Sequence, residues 1–178
     1  MTLTLPRGAM IIAVLACDPS GTLGNQGTLP WQLPQELRFF RALVQGHPLI
    51  MGRKTYESLP RRLPDRPYYV FSRQNSFKPS NVHVFSSLKA FQENRPSGAL
   101  FFMIGGAEIT DLFAKANLLD YAILSHIHAT YKGEVHVNLD FLKAWKHTCF
   151  YNSKIFDVLC YTYPGGDLNS QALKGNGF

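Results

Sequence analysis

PLIMGRKTYESL, residues 48 to 59, runs from an apolar stretch through Gly52 straight into a helical pattern whose first residues are Arg53, Lys54 and Thr55. A short apolar run closed by a glycine suits a strand buried on both faces, and the residues after it repeat at helical spacing. The same passage recurs at ALFFMIGGAEIT (99 to 110), where Gly105 and Gly106 end the strand and a helix opens at Ala107. Two such passages indicate an α/β fold whose glycine-bearing strand ends share one sheet edge.

Working outward, further strand candidates are MIIAVLA (10 to 16), YYVFS (68 to 72), NVHVF (81 to 85), YAILSHIHATY (121 to 131) and KIFDVLCYTY (154 to 163). Helical patterns lie at 35–45, 53–59, 87–94 and 107–116. This alternation predicts a mostly parallel central sheet with helices on both faces. No clear helix separates 121–131 from 154–163, so the C-terminal edge is expected to be antiparallel. The domain is expected over residues 10–164, with 1–9 an N-terminal extension and 165–178 a flexible tail.

With 178 residues, 46% of them hydrophobic and 13% aromatic, the chain fits one compact domain. At that size about 70% of the unfolded surface can be buried. Cys17, Cys149 and Cys160 are odd in number and form no CxxC pair. Neither a disulfide framework nor a zinc knuckle is suggested, and a reducing cytoplasm is the expected location. The apolar run from Met10 to Cys17 is far too short to span a bilayer, so no membrane partner is expected. The net charge of +6 favours anionic ligands. Without an RNP-type motif, a zinc finger or a long Lys/Arg run, and with basic residues gathered at strand-to-helix junctions, the expected partner is a phosphorylated small molecule rather than nucleic acid.

Arg53 and Lys54 at a helix N-terminus oppose the helix dipole unless an anion binds there. A helix start with solvated basic residues fits the same pattern. The Gly105–Gly106 pair lets a ligand approach the backbone closely. Neither GxGxxG nor GxxxxGK[ST] is present, which excludes the standard dinucleotide fingerprint and the P-loop. Two glycine-bearing strand ends still describe a crevice for a dinucleotide pyrophosphate. A third strand ends at Ser72 and Arg73, and an arginine beside a ribose is the usual device for accepting a 2′-phosphate, which selects NADP over NAD.

LPWQLPQELRFF (29 to 40) sets one carboxylate in an apolar helix. Pro34 suits the first helical position, and spacings of four and seven stack Glu36 with Phe40 and Leu43. Glu36 either complements the helix dipole from the surface or stands in an apolar cleft, where it can take two hydrogen bonds from a flat, amidine-like ligand. His126 and His128 alternate on a strand, but no carboxylate or third histidine at ligand spacing accompanies them, so no metal is expected.

Taken together, DPSGTLGNQGTLPWQLPQELRFF (18 to 40), IMGRKTYESLPRRLPDR (50 to 66), MIGGAEI (103 to 109) and LSHI (124 to 127) resemble dihydrofolate reductase, in the right order over roughly residues 10 to 163. The resemblance implies a bacterial-type, single-domain enzyme that reduces 7,8-dihydrofolate to 5,6,7,8-tetrahydrofolate with NADPH, supplying one-carbon metabolism and thymidylate synthesis. It implies that Glu36 binds the pterin amino and N3 groups and favours protonation at N5, with hydride from NADPH arriving at C6. Ser125 would share a water or hydrogen bond with that acid, and Trp31 would hold an ordered water beside it. Ile12, Val14, Leu37, Phe40, Leu59 and Ile104 would wall the substrate rings, with Leu63 adjoining. Arg66, assisted by Arg61, would pair with the α-carboxylate of the glutamate tail.

For the cofactor, the resemblance implies Arg53, Lys54, Thr55, Ser72 and Arg73 at the phosphates and ribose. Gly105, Gly106, Ala107 and Glu108, flanked by Gly52 and Ile109, would take the pyrophosphate and nicotinamide side. Val14, Ile104 and the mobile loop of residues 20–30, through Leu23, Gly24, Asn25, Thr28 and Leu29, would complete the site. Antifolates such as methotrexate or trimethoprim would compete with substrate, and a monomer is expected. Five features depart from the family pattern, one of them that VHVNLD (135 to 140) lacks the expected aromatic-proline ending. The acid is Glu where bacterial members usually have Asp. Thr110 stands where a tyrosine is common beside the nicotinamide, and Glu134 replaces a usual Asp in the segment supporting the mobile loop. The hairpin near Asn152 and Ser153 is short. A riboflavin-pathway reductase of the same fold, or a non-catalytic paralogue that binds NADPH or folate, are the rival readings.

Overall fold

The computed structural model describes residues 9–24, 27–59 and 66–165. The expectations for residues 1–8, Asn25, Arg61, Leu63 and the tail from 166 lie outside them. In chain order the described elements are β1 (Met10–Cys17), β2 (Thr22–Gly24), α1 (Pro34–Leu43), β3 (Leu49–Gly52), α2 (Arg53–Ser58), β4 (Tyr68–Phe71), β5 (Val82–Phe85) and α3 (Leu88–Asn94). There follow β6 (Leu100–Met103), α4 (Ala107–Lys115), β7 (Tyr121–Ile127), β8 (Val135–His136), a 3-10 turn (Asp140–Ala144), β9 (Lys146–Asn152) and β10 (Phe156–Thr162).

Eight strands form one sheet in the order β5-β4-β3-β6-β1-β7-β10-β9. From β5 to β7 every pairing is parallel, and β10 and β9 close the sheet antiparallel. The fold is therefore α/β, mostly parallel, with the antiparallel C-terminal edge expected. β1 shows how the apolar runs build two layers. Ile11, Ala13 and Leu15 face a cluster with Phe91 of α3 and Phe113 of α4. Ile12 and Val14 face the opposite cluster, with Leu43 of α1 and Tyr56 of α2. Each fully buried aromatic of this kind contributes about 2–3 kcal/mol relative to leaving it in water.

Three strands escaped the sequence reading. Among the described residues β2 and β8 pair only with each other, and at three and two residues they are too short for a period to show. β9 is exposed along almost its whole length on both faces, so its sequence carries no alternation. The strand expected over 121–131 ends at Ile127, where the chain leaves the sheet toward β8.

Because β1, β3, β4, β6 and β7 run parallel, Cys17, Gly52, Phe71, Met103 and Ile127 end at one edge. In an open α/β sheet, that carboxyl edge is where ligands bind.

Candidate active site

α1 begins at Pro34, which needs no amide partner at the first helical position, and no side chain caps it. Its inward stripe carries Glu36 and Leu43, both buried. Glu36 is only 6% exposed and Ser125 only 2%. Burial raises the Glu36 carboxyl above the ordinary range, and a hydrogen bond from Ser125 partly offsets it. Ser125 comes from β7, where it lies level with Ala16 of β1 and Val158 of β10. Ile12, Val14 and Trp31 belong to the buried cluster on this face, with Phe40, Leu59 and Ile104 packed against it. Leu37 stands outside that cluster, 39% exposed, and Leu29 is exposed as well. The Trp31 indole N–H is buried without a protein acceptor, and its ring meets Tyr131 edge-on at 5.6 Å.

Arg66 lies at the other end of α1. Its Nη1 donates to the carbonyls of Val44 and, at 3.5 Å, His47, so it caps the C-terminal end of the helix. Its Nε is buried without a hydrogen-bond partner.

The two glycine passages meet. The amide of Gly52 donates to the carbonyl of Gly105 at 2.9 Å. The Gly105–Gly106 peptide is cis, and Gly105 has φ +100°, a conformation side chains rarely adopt. A Cβ on Gly106 would lie 3.4 Å from Thr55 Oγ1, and one on Gly52 would lie 3.1 Å from Ile109 Cγ1. Ile109 is thus buried beneath the crevice. Around the crevice, Arg53 pairs with Glu57 at 2.7 Å, and Arg73 reaches Glu108 at 3.2 Å. Lys54 is exposed, Ala107 opens α4, and Ser72 binds through its amide to the Phe85 carbonyl. Acid, apolar wall and glycine crevice therefore share the carboxyl edge of one sheet.

The model of the dihydrofolate reductase family matches residues 10–154. The chain belongs to that family. It is 37% identical to the dihydrofolate reductase of Bacillus subtilis strain 168 over 128 residues, which is 71% of this chain and 74% of that protein. It is 32% identical to dihydrofolate reductase type 3 of Salmonella typhimurium over 167 residues, 93% of this chain and 94% of that one. Among solved structures, dihydrofolate reductase from Enterococcus faecalis, complexed with NADP(H) and RAB-propyl, shares the fold with a TM-score of 0.75 at 24% identity, covering 86% of this chain and 95% of that one.

As a dihydrofolate reductase family member, the chain shows its departures in a definite setting. Thr110 is fully buried beneath the Gly105–Gly106 turn, and its Oγ1 donates to the Gly106 carbonyl at 2.9 Å. Asp18, which the sequence reading missed, anchors the loop after β1. It accepts from the amides of Ser20, Thr22 and Tyr131 at 2.8–2.9 Å. Burial alone would raise its carboxyl, but these bonds from Tyr131, Thr22 and Ser20 hold it below the usual range. The signal was the DPSG turn, in which an Asp accepts backbone amides two residues on and beyond. Thr28 and Leu23 lie on the same loop, whose β2 strand pairs with β8 just past Glu134.

His128 has no carboxylate at ligand spacing along the chain, but the fold supplies one: Asp157 stands 3.2 Å from it, brought in by β10. Among the described residues no cluster of three or more His, Cys, Asp or Glu could hold a metal.

Proposed function

We propose that this chain catalyses the NADPH-dependent reduction of 7,8-dihydrofolate to 5,6,7,8-tetrahydrofolate, feeding one-carbon metabolism and thymidylate synthesis. The observation that carries this reading is a single carboxylate, Glu36, buried against an apolar wall with one hydroxyl partner. A flat heterocycle with an amino group beside a ring N–H matches such a carboxylate through two parallel hydrogen bonds.

The glycine crevice fits the cofactor: Gly105 and Gly106 present bare backbone at the strand end, a Cβ on either would already press on Leu15 or Thr55, and basic side chains rim the turn. Arg53, Lys54, Thr55, Ser72 and Arg73 would hold its phosphates and ribose, and Gly105 to Glu108 would line its pyrophosphate. When bound, NADPH supplies the hydride for C6 of the pterin. Glu36 accepts hydrogen bonds from the pterin amino group and N3–H, orients the ring, and by its charge makes N5 more basic. A water then delivers the proton to N5. The buried indole N–H of Trp31 is the donor that holds this water. Ile12, Val14, Phe40, Leu59 and Ile104 exclude bulk solvent, and Arg66, with one Nη free of the helix cap, receives the α-carboxylate.

Antifolates would compete for Glu36. No described helix is long and apolar enough to cross a membrane. A cytoplasmic monomer, with residues 10–164 as its working domain, completes the reading.

The test is Glu36→Gln, followed by NADPH oxidation with dihydrofolate. Turnover is expected to fall about 10²–10⁴-fold, the range for losing a group that assists proton transfer. NADPH binding, read by fluorescence, should be retained. Full activity in this variant at neutral pH would sink the mechanism, and tight NADPH binding by the unaltered protein without turnover would sink the function.

A further inference from the structure

Arg73 and Glu108, both placed at the cofactor crevice, are also paired with each other. Arg73 follows the end of β4, while Glu108 is the second residue of α4, after β6. In the sheet β3 lies between those two strands. With neighbouring strands about 4.8 Å apart, two strand spacings put roughly 10 Å between their ends. The Arg73–Glu108 contact at 3.2 Å therefore reaches across the end of β3, over the junction where Gly52 gives way to Arg53 and Lys54. That is the mouth of the crevice in which the cofactor phosphates would lie.

Both side chains project into solvent, with 85% and 74% of their surface accessible, so packing does not fix either one. Arg53, the other arginine of the rim, is matched with Glu57 on its own helix, which positions it without spanning the crevice. Among the described rim residues, Arg73 alone is held by a carboxylate from the opposite bank.

We propose that Glu108 competes internally for Arg73, so that the 2′-phosphate of NADPH must displace a carboxylate, and that this lowers the protein's preference for NADPH over NADH. The inference rests on the reading of Arg73 as the 2′-phosphate group. Two effects of Glu108 separate cleanly. A carboxylate near the pyrophosphate repels both cofactors alike. Occupation of Arg73 penalises only the one that carries the extra phosphate. An exposed pair of this kind is worth little, so the change should be modest and sensitive to salt.

The experiment measures the dissociation constants of NADPH and NADH by quenching of intrinsic fluorescence, at low and at high salt, on the full chain. Glu108→Gln is expected to tighten NADPH about 2- to 5-fold with a much smaller change for NADH, and the gain should shrink at high salt. Glu108→Asp keeps the charge but shortens the arm, and should shift the NADPH to NADH ratio in the same direction. In the Arg73→Gln background, Glu108→Gln should no longer move that ratio. Equal tightening of both cofactors, or no tightening, overturns the competition. If Arg73→Gln alone leaves the ratio unchanged, the 2′-phosphate reading of Arg73 fails and the competition falls with it; that outcome is distinct because it appears before Glu108 is altered.

Discussion

Glu36 sits where ionisation is costly and a single hydroxyl partner offsets only part of the cost. Its carboxyl is raised in the folded chain, so the folded state holds that proton more tightly than the unfolded state does. The stability this contributes is fully present below the ordinary glutamate range and is lost as pH rises through the raised value. Glu36→Gln removes the burden of burying a charge. Thermal melts from about pH 4 to about pH 8 should therefore show the variant gaining on the unaltered protein as pH rises past the usual glutamate value. A difference that stays constant across that range would contradict the buried-charge account. The helix start at Pro34 and the apolar stripe made this residue conspicuous in the sequence. The helix pattern left its burial open, and only the family resemblance pointed to Ser125, Ile12 and Val14, because those groups come from β7 and β1 and a helix period does not report what packs against it.

At the scale of elements, the loop after β1 is fastened by short pieces that no periodicity reveals. Thr22 pairs with His136 and Gly24 with Val135, and the Val137 amide donates to the Gly21 carbonyl at 2.9 Å. Gly133 lies against this ribbon. A Cβ there would collide with the Gly24 carbonyl oxygen and stand 2.6 Å from Thr22 Cγ2, and the backbone part of that obstacle cannot swing aside. Gly133→Ala is expected to cost about 1–3 kcal/mol, the usual range for overpacking. It should also speed amide exchange at Val137 more than at Ile50 in β3. Unchanged protection at Val137 would show that the ribbon absorbs the methyl group. The glycine-bearing passages after β3 and β6, by contrast, were readable because each joins a full buried strand to a full helix. Asp18 was not picked out, since its third partner, the Tyr131 amide, lies on a distant segment.

For the molecule as a whole, the alternation of apolar runs with helices was enough to specify the sheet, its covered faces and its antiparallel end. The order of strands was not, because sequence neighbours are only partly sheet neighbours: β6 returns to lie between β3 and β1. That return carries a consequence for how the chain assembles. β3, β4, β5 and β6 occupy one unbroken stretch of sequence, Leu49 to Met103, and one unbroken half of the eight-stranded sheet. β1 must find Leu100 to Met103 on one flank and Tyr121 to His126 on the other. Closing such long loops is slow relative to local pairing. Pulsed hydrogen exchange during refolding should accordingly find Ile50 and Val70 protected before Ile12 and Val14, and the reverse order would refute this. On a ribosome the same geometry makes the first of the sheet's described strands in chain order among the last to be placed. MIIAVLAC, the most water-averse run in the chain, lacks one of its two partners until synthesis has passed His126.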